Sequence, residues 1–179
     1  RYADLSYDAV NPRTASRELP SGKISKRAAL LFVIANSVFF VLSAGLINNL
    51  TLALSPVALL IILGYSFTKR FTVLCHFILG LGLSLAPAGA YIAVTGHFSI
   101  LPLIYSFIVL TWVSGFDIIY AIQDDSFDRE ANLFSLPSKT GRKKALIISA
   151  SAHALTVFFV VAAGVTGKAG ILYWTGAFI

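Results

Sequence analysis

Long apolar segments separated by short polar ones dominate the chain. After a polar stretch over residues 1–27, five apolar segments follow and a sixth begins near Ile171. Each of the five is close to the roughly 20 residues that a helix needs to cross about 30 Å of hydrocarbon. None alternates polar and apolar residues as the strands of a membrane barrel do. The pattern therefore predicts an all-α, polytopic transmembrane bundle with helices at about 28–47, 50–67, 71–95, 100–122, 145–165 and 171–179.

Composition strengthens the assignment to the membrane. The chain is 57% hydrophobic and 12% charged, whereas soluble domains carry about 25% charged residues. Its single cysteine, Cys75, lies in an apolar segment, so no disulfide can form within the chain. His76 and His153 lie singly in apolar segments without the spacing of a zinc site, and we interpret them as ordinary interior residues. We expect one domain over residues 1–179, membrane lipid around it and no nucleic-acid partner.

The charged residues are sorted by side of the membrane. All lysines and arginines except Lys168 fall in the N-terminal stretch or in the linkers on one side. By the positive-inside rule this side faces the cytoplasm, or the matrix in an organelle. All eight acids fall on the same side, and the rule does not account for acids. Their placement therefore needs a chemical reason.

Two pairs of aspartates have helical spacing. Asp4 and Asp8 are four residues apart, as are Asp124 and Asp128, so the members of each pair share one helix face. Like charges on one face repel unless a cation lies between them. Mg²⁺ is usually held by one or two carboxylates together with substrate phosphates. The four aspartates therefore indicate a site in which Mg²⁺ is held against a diphosphate, the alternative being a solvated helix end.

Other polar residues accompany these pairs. Arg13, Arg17, Lys69 and Arg70 lie on the same side and could bind the diphosphate. Asp117 lies deeper in the apolar segment, and an ionisable group inside a membrane segment is a functional candidate. It could orient an acceptor, take part in proton removal or make a structural hydrogen bond.

These motifs resemble the UbiA superfamily of membrane prenyltransferases. The segment "RYADLSYDAVNPRTASRELPSG" is similar to the first family motif, with Asp4 and Asp8 as its acids. Tyr120, Asp124 and Asp128 match Tyr-x-x-x-Asp-x-x-x-Asp, and "GYSFTKR" resembles the family's Tyr-x-x-x-Lys-Arg with Tyr65 at its start. "APAGAYIAVTG" and "FDIIYAIQD" resemble the members that prenylate 4-hydroxybenzoate or a related aromatic acid.

The resemblance implies an enzyme that transfers a polyprenyl group from a polyprenyl diphosphate to a small aromatic acid, in ubiquinone or menaquinone biosynthesis. It implies Mg²⁺ as the cofactor, which would assist ionisation of the donor before the acceptor ring attacks. The metal ligands would then be Asp4, Asp8, Asp124 and Asp128, and the catalytic residues would be Asp117, Tyr120 and Tyr65. The substrate-binding bases would be Arg13, Arg17, Lys69 and Arg70. We expect Arg13 or Arg17 to bind the carboxylate of the aromatic acid, and Lys69 and Arg70 to bind the diphosphate.

The family has nine transmembrane helices. The resemblance therefore implies that residues 1–179 are a fragment truncated at both ends, without the first two helices, the end of the eighth and the ninth.

Three alternatives remain to be compared with this interpretation. Within the family, transfer to homogentisate, chlorophyll, haem O or lipid-ether acceptors stays open. A CDP-alcohol phosphatidyltransferase needs an Asp-Gly-x-x-Ala-Arg motif, which this sequence lacks. A cation transporter is expected to place acids along a path near the middle of the membrane, whereas these acids lie at one boundary.

Overall fold

The structure, a computed structural model, describes residues 2–178. No β-strand occurs in this range. The helices are α1 (Leu5–Asp8), α2 (Lys26–Ile47), α3 (Asn49–Thr68), α4 (Cys75–Thr95), α5 (Ile100–Ala121), α6 (Asp125–Glu130), α7 (Leu136–Thr140), α8 (Arg142–Thr166) and α9 (Ile171–Phe178). One 3-10 turn, Ile122–Asp124, joins α5 to α6. The predicted end of the last helix at Ile179 lies outside the described residues.

Five helical segments are long and apolar enough to cross a membrane. They are α2, α3, α4, α8 and the continuous segment from α5 through α6, Ile100–Glu130. Many of their large apolar side chains point outward, and in α2 only Ala44 is buried. An outward apolar surface is favourable in lipid, where the surrounding hydrocarbon is as apolar as the side chains. The all-α, multi-pass membrane fold predicted from the sequence is confirmed.

Helix α5 lies between α4 and α8, and small residues let these helices approach closely. A Cβ added to Gly80 of α4 would lie 2.4 Å from Ser114 Oγ and 2.6 Å from the Leu110 carbonyl oxygen. A Cβ added to Gly115 of α5 would lie 2.8 Å from the His153 ring of α8. Small residues at such crossings allow backbone contact in membrane bundles.

The two ends of the bundle differ in chemistry. At one end a single residue, Asn48, joins α2 to α3, and its side-chain amide donates to the carbonyls of Ile92 and Ala93 near the end of α4. At the other end the polar N-terminal stretch folds beside α6. Thr14 is buried there, and its hydroxyl donates to the Asp8 carbonyl at 2.9 Å. The charged residues of both aspartate motifs meet at this second end.

Two helix starts differ from the sequence prediction by three or more residues. Helix α4 begins at Cys75 rather than at residue 71, because residues 71–74 form turns in which the Thr72 hydroxyl accepts from the Leu74 amide. Helix α8 begins at Arg142 rather than at residue 145, directly after Gly141, whose φ of 81° ends the preceding short helix. Both differences lie at the charged end, where polar turns replace the ends of apolar helices.

Candidate active site

Both aspartate pairs line one pocket at the charged end of the bundle. Asp4 precedes α1 and Asp8 ends it, and the backbone amide of Asp8 donates to the Asp4 carbonyl at 2.8 Å. Asp124 ends the 3-10 turn and Asp128 lies on α6. The pocket has a volume of about 120 Å³. Its charged lining consists of Asp4, Asp8, Asp124, Asp128, Arg13, Arg17, Lys69 and Arg70.

Each aspartate is paired with a different base. The ion pairs are Asp4 with Arg70 at 3.6 Å, Asp8 with Arg17 at 3.7 Å, Asp128 with Lys69 at 2.7 Å, and Asp124 with Arg13. Four carboxylates and four cations leave the charged lining with a formal net charge of zero. An incoming polyanion could therefore bind these bases only if another cation replaced them as partners of the carboxylates.

Arg13 makes the most extensive of these pairings. Its Nε donates to Asp124 Oδ1 at 2.8 Å, and one Nη donates to the other carboxylate oxygen. Its remaining Nη donates to the Tyr120 hydroxyl at 2.9 Å, and the guanidinium carbon lies 5.2 Å from the centre of the Tyr120 ring. The Asn11 amide donates to the same aspartate at 3.3 Å. A bidentate guanidinium pair of this kind fixes orientation as well as charge.

Asp128 is the most deeply buried of the four acids, with a relative exposure of 0%. Its Oδ1 lies 2.7 Å from Lys69 Nζ. Its Oδ2 is buried and accepts no hydrogen bond from residues 2–178. The backbone holds this pairing in place, because the Phe134 amide after α6 donates to the Lys69 carbonyl at 2.7 Å. A buried carboxylate oxygen without a donor is costly, and a hard cation would satisfy it.

Asp4 shares its cationic partner with other groups. Burial raises the pKa of its carboxyl above the ordinary value, although Arg70 opposes that shift. The Arg70 guanidinium is shared, since it also donates to the Ala3 carbonyl and lies over the rings of Tyr7 and Phe67. The Asp4 carboxylate would therefore gain from a nearer cation.

The donor set suits Mg²⁺, but the carboxylates are not gathered around one point. Among residues 2–178, no group of three or more His, Cys, Asp or Glu side chains is arranged to hold a metal ion. The available ligands are carboxylate oxygens, which Mg²⁺ prefers, and Asp128 offers an oxygen without a donor. These residues fit Mg²⁺ by chemistry and by their shared pocket.

None of the three predicted catalytic residues lines this pocket, although Tyr120 lies beside it as a hydrogen-bond partner of Arg13. Tyr65 lies on α3, partly exposed, and its carbonyl accepts from the Thr68 hydroxyl. Asp117 of α5 instead contacts His76 of α4, with 2.6 Å between Asp117 Oδ2 and His76 Nδ1. The interpretation of His76 as an ordinary interior residue missed this pair, and the sequence analysis did not identify Asn11. Neither residue has a motif spacing that could have identified it.

A second and larger cavity lies among the apolar helices. Its volume is about 760 Å³, and residues of α2, α3, α4 and α5 line it together with Phe98. The lining is apolar apart from hydroxyl groups such as those of Ser55, Ser84 and Ser106. An elongated hydrocarbon group would find the apolar contacts there that favour its burial.

The fold and the pocket define a multi-pass helical membrane protein with a site of four acids and four bases at one end of the bundle. The sequence profile described as the UbiA prenyltransferase family matches residues 1–179. The chain belongs to this family, and the family predicted from the sequence motifs is confirmed.

Curated relatives and a solved structure agree with this membership. The 4-hydroxybenzoate octaprenyltransferase of Aliivibrio fischeri is 32% identical over 173 residues, which are 97% of this chain and 60% of the relative. The protein of the same name from Photobacterium profundum is also 32% identical, with the same coverage of each chain. The apo structure of a UbiA homolog from Aeropyrum pernix K1 superposes with a TM-score of 0.92 at 38% identity, covering 98% of this chain and 66% of that one. The present chain thus spans about three fifths of the length of the curated relatives it matches.

Proposed function

We propose that this chain carries the donor-binding part of an enzyme that transfers a polyprenyl group from a polyprenyl diphosphate to a small aromatic acid. One observation carries the proposal: two Asp-x-x-x-Asp pairs and four bases line one pocket, and an apolar cavity of about 760 Å³ lies in the same bundle. A polyprenyl diphosphate has the same division, with a polyanionic head and a long hydrocarbon tail. The names of the curated relatives support 4-hydroxybenzoate as the acceptor and quinone biosynthesis as the pathway.

The charged pocket would bind the diphosphate head. Asp4, Asp8, Asp124 and Asp128 would hold Mg²⁺, which, when bound, neutralises negative charge on the leaving diphosphate. The bases now paired with these acids would be released toward the phosphate oxygens. Charge-assisted bonds from Arg and Lys to phosphate are strong and short, so this exchange of partners would favour departure of the diphosphate.

The acceptor needs a cationic partner for its carboxylate, because a buried carboxylate without one is costly. Arg13 and Arg17 were both candidates from the sequence. Arg13 already makes a bidentate pair with Asp124 and a bond to Tyr120. Arg17 lies 3.7 Å from Asp8, beyond hydrogen-bonding distance. Arg17 is therefore the better candidate for the acceptor carboxylate, with Lys69 and Arg70 for the diphosphate.

Catalysis in such a site would rest on positioning, electrostatic stabilisation and exclusion of water from an allylic cation. Tyr120 is held beside the pocket by Arg13, and its ring face could stabilise a cation. Tyr65 stays a predicted catalytic residue from the motif alone. The positive-inside rule supports a pocket that faces the cytoplasm or the matrix.

The test uses two aspartates of the pocket and one beside it. Asp128→Asn and Asp124→Asn should lower Mg²⁺-dependent prenyl transfer in proteoliposomes by at least about a hundredfold, and chelation should abolish transfer reversibly. Asp125→Asn is the matched control, because Asp125 neighbours Asp124 but pairs with Arg129 outside the pocket. It should retain nearly full activity. Full turnover of the Asp128 and Asp124 variants, or in the presence of a chelator, would refute the proposal.

A further inference from the structure

Asp117 lies on α5, between residues that line the apolar cavity and a residue that lines the charged pocket. Leu103 and Leu110 line the apolar cavity, and Asp124 lines the charged pocket. Asp117 is seven residues after Leu110 and seven before Asp124. Seven residues are close to two helical turns, or roughly 10 Å, so Leu103, Leu110 and Asp117 follow nearly one line along α5, and Asp124 lies beyond them in the 3-10 turn. Asp117 therefore lies between the residues of this segment that line the two cavities, although it lines neither cavity itself.

The Asp117 side chain is not fully enclosed by its partner. It retains 28% of its exposure, whereas His76 retains 2%. Ionisable groups in membrane segments almost always face the bundle interior or a wet cavity rather than lipid. Helix α4, which carries His76, also contributes Leu81 and Leu85 to the apolar cavity. The exposed part of the Asp117 carboxylate is therefore expected on the interior side of the α4–α5 contact.

The hydrogen bonds of His76 assign its proton. The Leu136 backbone amide can only donate, and it donates to His76 Nε2 at 3.2 Å. His76 Nδ1 must then carry the hydrogen that it donates to Asp117 Oδ2 at 2.6 Å. Leu136 opens α7, where Ser135 and Ser138 form reciprocal capping bonds and Pro137 follows. The donor to His76 is therefore held on a constrained turn.

This chain of bonds makes Asp117 a hydrogen-bond acceptor in the resting protein. Oδ2 accepts the bond from His76, which fixes the plane of the carboxylate. Oδ1 accepts no bond from the imidazole and keeps its lone pairs for another group. A general base needs this combination of fixed orientation and a free acceptor near the reacting atom.

We propose that Asp117 removes the ring proton of the aromatic acceptor in the last chemical step and that His76 is its positioning residue. The proposal rests on the prenyl transfer proposed above. In that reaction the carbon–oxygen bond of the donor breaks and its electron pair leaves with the diphosphate. Electrons of the acceptor ring form the new carbon–carbon bond, and the hydrogen on the attacked ring carbon leaves as a proton to Asp117 Oδ1. The carbon–hydrogen pair restores the aromatic ring, and the protonated Asp117 later gives its proton to water.

A purely structural link between α4 and α5 would have a different signature. Such a link would affect stability and every kinetic constant together. A base affects the turnover of bound substrates and the sensitivity of turnover to the mass of the departing ring hydrogen. Glutamine at position 76 would keep one acceptor for the Leu136 amide and one donor for Asp117, whereas leucine would keep neither.

The experiment compares Asp117→Asn, His76→Leu and His76→Gln with the wild-type protein in liposomes. His153→Gln is the matched control, because His153 is a second histidine inside the bundle but packs against Trp112 and Gly115 rather than Asp117. Transfer is measured by product mass with 4-hydroxybenzoate, unlabelled or deuterated on its ring. Donor binding is measured separately with a prenyl thiodiphosphate.

Asp117→Asn is expected to lower kcat by about a hundredfold or more. Its affinity for the thiodiphosphate should stay within about twofold of the wild-type affinity. It should also convert the deuterated acceptor more slowly than the unlabelled one. His76→Leu should show the same isotope effect, and His76→Gln and His153→Gln should match the wild type. Loss of donor binding together with loss of product in Asp117→Asn and His76→Leu would overturn the proposal and indicate a structural link. Normal kcat without an isotope effect in these variants would also overturn it. If the wild-type protein forms no product, the proposed function itself fails and this inference fails with it.

Discussion

Removal of the Lys69 ammonium should leave the Asp128 carboxylate buried without a cationic partner. Asp128 has a relative exposure of 0%, and Lys69 Nζ, 2.7 Å from its Oδ1, is the cation paired with it among the described residues. Lys69→Met keeps the length and the apolar part of the side chain while removing the ammonium. The carboxylate would then lie buried with neither a cation nor a hydrogen-bond donor from residues 2–178.

The expected magnitude follows from that burial. Loss of one partner from a buried ion pair destabilises a protein by about 3–5 kcal/mol. Lys69 itself is 34% exposed, so water reaches the ammonium side of the pair and the low end of this range applies. We expect a loss of about 3 kcal/mol, which is a large part of the roughly 5–15 kcal/mol that stabilises a typical domain. Replacement of both partners, in Lys69→Met/Asp128→Leu, should restore most of it, because a buried pair can be exchanged for apolar residues at little cost.

Denaturant unfolding in detergent micelles, followed by tryptophan fluorescence, measures these differences. Lys143→Met is the matched control: Lys143 is exposed in the first turn of α8, so its loss should change the free energy of unfolding by less than about 0.5 kcal/mol. Mg²⁺ should stabilise Lys69→Met more than the wild type, since it would supply the missing cation. A cost no larger than that of Lys143→Met, or a double variant as unstable as the single one, would refute this reasoning.

Three further predictions concern the topology, the acceptor and the packing. Ser21→Cys and His97→Cys lie at opposite ends of the bundle and should react with an impermeant thiol reagent from opposite sides of the membrane; labelling of both from one side would contradict the topology. Arg17→Lys should raise the KM for 4-hydroxybenzoate several-fold while the KM for the prenyl diphosphate stays within about twofold, because Lys lacks the bidentate fork; an unchanged acceptor KM would argue against carboxylate recognition by Arg17. Gly80→Ala should destabilise the protein by about 2 kcal/mol through overpacking, whereas Gly82→Ala, whose added Cβ would meet Ile61 only at 3.9 Å, should not; equal unfolding curves for the two variants would contradict the α4–α5 contact.

The fold was predictable because its signals are local. An apolar run of about 20 residues has the length that a helix needs to span a membrane. The spacing of four residues between Asp4 and Asp8 places both side chains on one face of a helix. The same holds for Asp124 and Asp128. Helix starts were less predictable where the polarity did not change. Thr72 lies in an apolar run, and only its hydroxyl bond to the next turn shows that α4 has not yet begun.

The pairing of charges was not predictable from the sequence. Arg13 and Asp124 are 111 residues apart, and their contact depends on how the N-terminal stretch folds over the end of the bundle. Arg17 has similar chemistry and lies four residues away, so the sequence could not decide which arginine meets which acid. His76 was missed for a related reason. A lone histidine in an apolar run carries no spacing signal, and Asp117 lies 41 residues further along the chain.

The proposed reaction joins a polyprenyl group to an aromatic acid. The most direct test incubates the protein in liposomes with Mg²⁺, a polyprenyl diphosphate and 4-hydroxybenzoate, and measures the masses of the products. We expect release of diphosphate together with a product whose mass is that of the acceptor plus the polyprenyl group minus one hydrogen atom, formed only when Mg²⁺ is present. Mg²⁺ flux across the liposome membrane without any prenylated product would contradict it and would favour a cation transporter.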